Sequence, residues 1–378
     1  MQADHSTQNA APPRPGPAPG GPGLEQARDS ARQGRRLSPS QALCLLQEAD
    51  LLHLGRLAHD CRMTHNPQPL VTYVVDRNIN FTNICLSGCR FCAFFRAPGN
   101  AEGYILTREE LGEKIDQTLA LGGTQILIQG GLNPDMGLED VCAMFRFIKQ
   151  NHPIHIHGLS PPEVVHLAGL AGVSIAEALD RLIEAGLGSI PGGGAEILVD
   201  RVRRLIAPGK CNTAQWLEVM AQAHARSLNT SATMMFGSLE TPAERIEHLD
   251  RLRQLQDQSL ARGRGRFTAF IPWTFQTANT ALSHLPPATA VEYLRMLAVS
   301  RLFLDNFDHI QASWVTQGAK IAQTALAFGA DDLGSTMIEE NVVAAAGAAF
   351  RLTREEMVHL AQDMGYAACQ RDTFYNLI

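Results

Sequence analysis

The segment Asn78-Ile-Asn-Phe-Thr-Asn-Ile-Cys85-Leu-Ser-Gly-Cys89-Arg-Phe-Cys92 joins a candidate buried strand to a loop with three cysteines at C-x3-C-x2-C spacing. Clustered thiolates are ligands for iron–sulfur clusters and for zinc, and Gly88 lets the backbone fold back so that the sulfurs converge. A closed zinc site needs four ligands, and no fourth cysteine lies nearby. The loop therefore favours a cubane cluster with one iron free of protein ligands, with a Cys3His zinc site or core cysteines as alternatives.

Seven further apolar runs suited to buried parallel strands follow this first one, separated by capped amphipathic helices. The eight candidate strands are 79–84, 124–129, 154–158, 188–191, 230–236, 267–273, 309–315 and 333–337. Eight such units within about 260 residues are typical of an α/β fold that closes as a (β/α)8 TIM-type barrel. A doubly wound open sheet is the alternative, but the chain has no G-x-G-x-x-G turn after its first strand. In a barrel, the cysteine loop lies at the end where barrel enzymes hold their active sites.

Composition divides the chain into four regions. Residues 1–36 are rich in proline and glycine and are predicted to form a disordered tail. Residues 37–70 show helical periodicity and are expected to pack on the main body as N-terminal helices. The barrel is predicted over 71–341, and a C-terminal helical segment over 342–378.

The overall composition excludes several classes of protein. Of the 378 residues 45% are apolar, which is enough for a large core, and the formal charge of −6 argues against a general nucleic-acid binder. No apolar stretch reaches the length of a membrane span, and the N-terminus has no apolar signal segment, so a cytoplasmic protein without a membrane partner is expected. Eight cysteines are too sparse for a disulfide scaffold.

The C-x3-C-x2-C motif, with Phe91 before its third cysteine, resembles the signature of radical S-adenosylmethionine (radical SAM) enzymes. The resemblance implies a [4Fe-4S] cluster on Cys85, Cys89 and Cys92, with one open iron that binds S-adenosylmethionine. It also implies cleavage of that cofactor to a 5′-deoxyadenosyl radical, and an electron donor such as flavodoxin or ferredoxin.

Further segments, from about residue 37 to the end, resemble the branch of this family in the futalosine route of menaquinone biosynthesis. The resemblance implies that the small-molecule substrate is dehypoxanthine futalosine, which the radical would cyclise. Aminofutalosine synthases and deazaflavin (FO) synthase components share the motif and the barrel and are alternatives, and a non-catalytic zinc-binding barrel is an alternative of another class. The segments that carry the resemblance are 76–83, 92–99, 189–197, 233–237, 269–276, 312–318 and 334–342.

The resemblance also implies residues that contact the cofactor. Gln129, Gly130 and Gly131 end the second predicted strand, where such enzymes receive the methionine amino group, although an ordinary glycine turn is the alternative. Phe91 matches a position near the adenine. Glu196 is a further candidate for a cofactor contact, or else a cap of the following helix.

Three other residues are candidates for contact with the substrate. Ser160 follows the third predicted strand and is a candidate for substrate binding. His157 is a candidate base because it shares a strand face with His155 and lies nearer the C-terminal end, although a structural histidine is the alternative. Glu339 is a second candidate base; it or Glu340 could instead be a helix-start acid.

Overall fold

A computed structural model describes residues 22–378 of the chain. Every pairing between its named strands is parallel. The strands are β1 (Leu70–Val74), β2 (Asp76–Asn80), β3 (Gln125–Gln129), β4 (His155–Gly158), β5 (Ser189–Ile190), β6 (Asn229–Phe236), β7 (Phe267–Thr274), β8 (His309–Ile310), β9 (Asp332–Ser335) and β10 (Ala367–Gln370).

Strands β2 to β8 form one curled parallel sheet in chain order, and the segment around β9 closes it. On one side Asp332 pairs with Gln311, next to β8. On the other side the N–H of Ile338 donates to the carbonyl of Asp76 at 3.1 Å, on β2. The same segment pairs with β1, which is separated from β2 by Val75 alone. The ring therefore has eight positions, and the predicted TIM-type barrel is confirmed.

Helices cover the outside of the sheet. On the fifth of them, Val141, Phe145 and Ile148 recur at helical spacing and are fully buried. Burial of such side chains contributes about 1.5–3 kcal/mol each. The helices are α1 (Pro22–Arg32), α2 (Pro39–Glu48), α3 (Leu51–His65), α4 (Arg108–Ala120), α5 (Leu138–Asn151), α6 (Pro161–Ala171), α7 (Ile175–Ala185), α8 (Asp200–Ile206), α9 (Thr213–Ala225), α10 (Pro242–Arg262), α11 (Ala290–Phe303), α12 (Trp314–Gln317), α13 (Ala319–Ala325), α14 (Val342–Ala345) and α15 (Arg354–Asp363).

Among the described residues no single helix is long and apolar enough to cross a membrane. Helices α6 and α7 together have the length and apolar composition of a membrane span, but the chain bends by 105° between them.

The predicted disordered tail over 1–36 is wrong for its last part. Residues 22–32 form α1, whose Leu24 and Ala27 are buried in the same core as α2 and α3. The proline-rich composition upstream obscured a short helix that gains its stability from tertiary packing. Residues 1–21 lie outside the described part of the chain.

The C-terminal segment is not wholly helical, as 342–378 was predicted to be. Strand β10 pairs with β1 in parallel over four residue pairs. The residues after it turn under the N-terminal ends of the barrel strands, where Arg371 forms an ion pair with Asp332 at 2.6 Å and Tyr375 stacks on His309 at 3.6 Å between ring centroids. This segment closes one end of the barrel, so the cysteine loop lies at the opposite end.

Candidate active site

The three cysteines lie in the loop after β2. Cys85 and Cys89 are buried, and Cys92 is half-buried. The Ser87 hydroxyl lies 3.0 Å from the sulfur of Cys85 and 3.2 Å from that of Cys89. Gly88 has φ +56°, the left-handed conformation that the tight loop requires. The loop thus holds at least two of its thiols close together.

A single metal ion and a multinuclear cluster require different spacings of the three sulfurs. In residues 22–378, no three Cys, His, Asp or Glu side chains are grouped closely enough to hold one metal ion. In a cubane each thiolate binds a different iron atom, so the sulfurs lie further apart. Burial raises the pKa of Cys89 to about 11, so a metal must displace its proton on binding.

The loop after β3 lies directly against the cysteine loop. The N–H of Leu132 donates to the sulfur of Cys85 at 3.2 Å, and the N–H of Gly131 donates to the carbonyl of Thr82 at 2.9 Å. A Cβ on Gly131 would lie 2.2 Å from the carbonyl oxygen of Ile84. Only glycine allows this approach, so the Gly-Gly turn is what brings the loop after β3 against the cysteine loop.

Sequence reasoning missed Glu163, which ties this loop to the next. Its Oε1 accepts from the N–H of Gly130 at 2.8 Å. Its Oε2 accepts from the N–H and the hydroxyl of Ser160, both at 2.6 Å. Burial raises the pKa of Glu163 to about 7. Serine followed three residues later by glutamate is the spacing of a capping box, a signal that could have found this pair.

The predicted substrate contact through Ser160 is not supported by its position. The residue begins α6, its hydroxyl is donated to Glu163, and it does not line the central cavity.

Glu196 lies in the loop after β5, buried to 4% exposure, with a φ of +40°. Its Oε1 accepts from Lys210 Nζ at 2.8 Å, while Arg203 lies 3.7 Å from Oε2. Within the described residues Oε2 has no hydrogen-bond partner. Lys210 also lies 5.1 Å from the ring centroid of Phe91. Lys210, which the sequence analysis missed, therefore joins two of the predicted cofactor contacts.

A cavity of about 290 Å³ occupies the interior of the barrel. Gln129 and His157, two of the predicted site residues, lie on its wall. Aromatic and apolar side chains face the same space, which suits a ligand with a ring. The apolar part of the wall includes Leu127, Ile271, Trp273, Trp314 and Met337.

His157 presents one ring nitrogen to this cavity. Its Nδ1 lies 2.6 Å from the Ser189 hydroxyl, so Nε2 is the ring nitrogen left for a ligand in the cavity. Burial lowers the pKa of His157 to about 3. The ring is therefore neutral at neutral pH and can accept a proton at Nε2.

The position of Glu339 does not favour its predicted role as a base. Its carboxylate lies outside the cavity, at 2.7 Å from Lys114 and 3.1 Å from Arg77. Burial raises the pKa of Glu339, but hydrogen bonds from Lys114 and Asn341 and the charges of Lys114 and Arg77 outweigh it, so the pKa is lowered. The neighbouring Glu340 does line the cavity, where it accepts hydrogen bonds from N–H groups at the start of α14, including that of Val343 at 2.9 Å.

Two family models match this chain. The model of the radical SAM superfamily matches residues 79–252, and that of the CofH/MqnC C-terminal region matches residues 264–378.

Characterised relatives are similar over nearly the whole chain. A cyclic dehypoxanthine futalosine synthase of Streptomyces coelicolor is 44% identical over 93% of this chain and 88% of its own length. One of Halalkalibacterium halodurans is 41% identical over 93% of this chain and 94% of its own length. A 5-amino-6-(D-ribitylamino)uracil–L-tyrosine 4-hydroxyphenyl transferase of Methanoculleus marisnigri is 38% identical over 94% of this chain and 98% of its own length.

Solved structures share the fold at low sequence identity. The crystal structure of methylornithine synthase (PylB) has a TM-score of 0.68 at 18% identity and covers 90% of this chain and 97% of that one. The [FeFe]-hydrogenase maturase HydG of Carboxydothermus hydrogenoformans has a TM-score of 0.72 at 15% identity, and the match covers 93% of this chain and 80% of that one.

Proposed function

This chain belongs to the radical SAM superfamily, and from that premise we propose that it cyclises dehypoxanthine futalosine to cyclic dehypoxanthine futalosine, a step of menaquinone biosynthesis. The family implies an iron–sulfur cluster and S-adenosylmethionine. The observation that carries the proposal is the 41–44% identity to two synthases of that name over at least 88% of their lengths. The cavity in the barrel supplies a space of suitable size and polarity for the substrate.

Cys85, Cys89 and Cys92 would hold a [4Fe-4S] cluster that leaves one iron open. When bound, the cluster supplies the electron that cleaves S-adenosylmethionine to methionine and the 5′-deoxyadenosyl radical. The chain's own contribution is to shield the sulfurs from solvent and to donate the N–H of Leu132 to Cys85. Hydrogen bonds to cluster sulfurs and burial are the features that set reduction potential. The donor of that electron would be a flavodoxin or ferredoxin.

Cofactor contacts would come from the loops around the cysteines. The carbonyls of Gln129 and Gly130 and the backbone of Gly131 are candidates to receive the methionine amino group. The free Oε2 of Glu196 is suited to a ribose hydroxyl or a cationic group. Phe91, next to Lys210, supplies a ring face for the adenine.

In the cavity, the chain would bind the substrate and exclude water. Trp273 and Trp314 offer faces on which an aromatic ring can pack. His157 Nε2 would take the proton that the substrate ring must lose after ring closure. A closed barrel interior suits this chemistry because a carbon radical must meet only its target.

The transferase relatives at 38–41% identity support a second candidate, a reaction between 5-amino-6-(D-ribitylamino)uracil and tyrosine. A single assay separates the two. Anaerobic protein with a reconstituted cluster is reduced and incubated with S-adenosylmethionine plus each substrate set, including that of an aminofutalosine synthase. We expect 5′-deoxyadenosine and the cyclised product only with dehypoxanthine futalosine. Turnover of the uracil and tyrosine instead would refute the cyclase assignment.

A further inference from the structure

A serine hydroxyl connects two histidines inside the barrel. Ser189 Oγ lies 2.6 Å from Nδ1 of His157 and 2.7 Å from Nε2 of His155. These distances are those of hydrogen bonds, and a hydroxyl can donate to one ring while it accepts from the other. Ser189 is 1% exposed, so water does not compete for either bond.

The three side chains run along the barrel from the cavity to its N-terminal end. His157 and Ser189 line the cavity, whereas His155 does not. His155 is the first residue of β4 and is half-buried, with the ring of Phe374 edge-on at 5.1 Å. The side chain thus lies beside the C-terminal segment that closes the barrel opposite the cysteine loop.

We propose that His157, Ser189 and His155 form a relay that carries the proton released during cyclisation from the cavity to the N-terminal end of the barrel. The inference rests on the proposed function, in which ring closure is followed by the loss of one proton and one electron. It adds two positioning residues to that reaction, because Ser189 and His155 act through His157.

The C–H bond breaks at the ring carbon that has gained the new C–C bond, and its proton passes to Nε2 of His157. The Nδ1 proton of His157 passes to Ser189 Oγ, whose own proton passes to Nε2 of His155, and His155 releases its Nδ1 proton to solvent. The C–H electron pair stays in the ring, and the unpaired electron passes to a one-electron oxidant of the class of an oxidised iron–sulfur cluster.

The surroundings favour a relay over a proton store. Burial lowers the pKa of His157 to about 3 and that of His155 to about 4. A ring with so low a pKa does not keep a proton at neutral pH. The hydroxyl bridge gives that proton a path away from the product, towards the N-terminal end of the barrel.

The test is the substitution Ser189→Ala in the cluster-loaded protein. It removes both hydrogen bonds and leaves the cysteine loop and the cofactor contacts in place. We expect 5′-deoxyadenosine to form at close to the normal rate, whereas cyclised product per 5′-deoxyadenosine falls about 10²-fold, the usual contribution of positioned proton transfer. His155→Gln, at the half-buried end of the relay, should uncouple the two products in the same way.

The protein contains a matched control. His224 is also buried and neutral, and its Nδ1 lies 2.7 Å from the Ser259 hydroxyl. Ser259→Ala deletes the same kind of hydrogen bond away from the cavity wall, so the product ratio should stay at the wild-type value. Ser189→Thr keeps a hydroxyl and should restore most of the coupling, and far-UV circular dichroism shows which variants are folded.

The possible outcomes separate this inference from the proposed function. If the wild type makes no cyclised product, the proposed function is wrong and the relay is wrong with it. If the wild type does cyclise and the folded Ser189→Ala or His155→Gln variant keeps the normal ratio, only the relay is wrong. Nitrogen-15 NMR of the histidine rings gives a readout independent of activity: Ser189→Ala should abolish a slowly exchanging Nδ1 proton at His157, and its persistence would also contradict the relay.

Discussion

The three cysteines have different surroundings. The sulfur of Cys85 accepts a hydrogen bond from Leu132, Cys89 is deeply buried, and Cys92 is partly exposed. Although Cys89 belongs to the core, its replacement by alanine removes a single sulfur atom, so the effect on the fold should be small. Loss of cluster and loss of structure should therefore be separable at this site.

Cys89→Ala should abolish cluster binding while the fold is kept. We expect 5′-deoxyadenosine formation to fall more than about 10²-fold, because loss of a direct ligand exceeds the 10–100-fold effect of losing an outer-shell partner. Iron and sulfide content, 5′-deoxyadenosine yield and circular dichroism are the measurements. Cys142→Ala is the control, since Cys142 is buried in α5 away from the loop; full activity of the Cys89 variant would show that Cys89 is not a ligand.

Glu163 should make the wild type lose stability as the pH rises from about 4.5 to 7. Burial raises its pKa in the folded state to about 7 from a usual value of 4.5, so over this range only the unfolded chain releases the proton. Glu163→Gln lacks this effect. As the pH rises, the free energy of unfolding of the wild type should therefore fall relative to that of Glu163→Gln, by about 3 kcal/mol in total.

Urea unfolding at several pH values measures this difference. Glu110→Gln is the matched control, because Glu110 occupies the same capping-box position on α4 but is exposed. A pH-independent difference for the Glu163 variant would contradict the raised pKa.

The cysteine motif and the Gly-Gly loop could be predicted because each is contained in a few consecutive residues. The capping-box spacing of Ser160 and Glu163 could have been read from the sequence, but the contact of Glu163 with Gly130 and that of Lys210 with Glu196 could not, because each joins separate loops of the fold. Glu339 and Glu340 illustrate the limit: adjacent residues point to opposite sides of the barrel wall, and the sequence does not show which one faces the cavity.

At the scale of elements, α3 packs closely on the barrel through a glycine. A Cβ on Gly55 would lie 2.6 Å from the ring of Phe328. Residues 37–70 were predicted to form helices outside the barrel. The structure has α2 and α3 there, and the break between these two helices lies at residues 49–50. Gly55 lies inside α3, where it permits this contact.

Gly55→Ala should destabilise the protein by about 1–3 kcal/mol, because the added methyl group overpacks a filled site. Gly169→Ala is the opposite case, since Gly169 is an exposed position in α6 with open space around it. That change should stabilise by about 0.4–1 kcal/mol. Thermal unfolding of both variants measures the contrast, and equal effects of the two changes would argue against the close contact at Phe328.

Most barrel strands were predictable from their apolar runs, but β1 and β10 were not. β1 directly precedes β2, so the first strand was placed too late, at 79–84 instead of Asp76–Asn80 with β1 before it. β10 is short and half-exposed, and its pairing with β1 joins residues nearly 300 positions apart. Local periodicity carries no information about such a partner.

At the scale of the whole molecule, several buried histidines are held neutral. Burial lowers the pKa of His155 to about 4 and those of His157, His224 and His248 to about 3. The usual pKa of histidine is 6.5. Below that pH these histidines take up protons in the unfolded chain but not in the folded one. The stability that these groups contribute is complete above pH 6.5 and is lost as the pH falls.

Near pH 5 this contribution should fall by about 5 kcal/mol per pH unit for the four histidines together. His224→Gln should reduce the slope of unfolding free energy against pH by about 1.4 kcal/mol per unit. Urea unfolding between pH 7 and pH 5 provides the slope. The exposed His359→Gln should leave it unchanged, and an unaltered slope for His224→Gln would show that this ring is charged in the fold.

The pairing of β1 with both β9 and β10 has a consequence for synthesis of the protein. About 260 residues separate β1 from β9, so at 5–20 residues per second the ribosome needs roughly 15–50 s to supply the partner. During that time the cysteine loop has emerged while the ring is still open on one side. The last strand to be translated completes the surroundings of the first, and the barrel closes only after nearly the whole chain has left the ribosome.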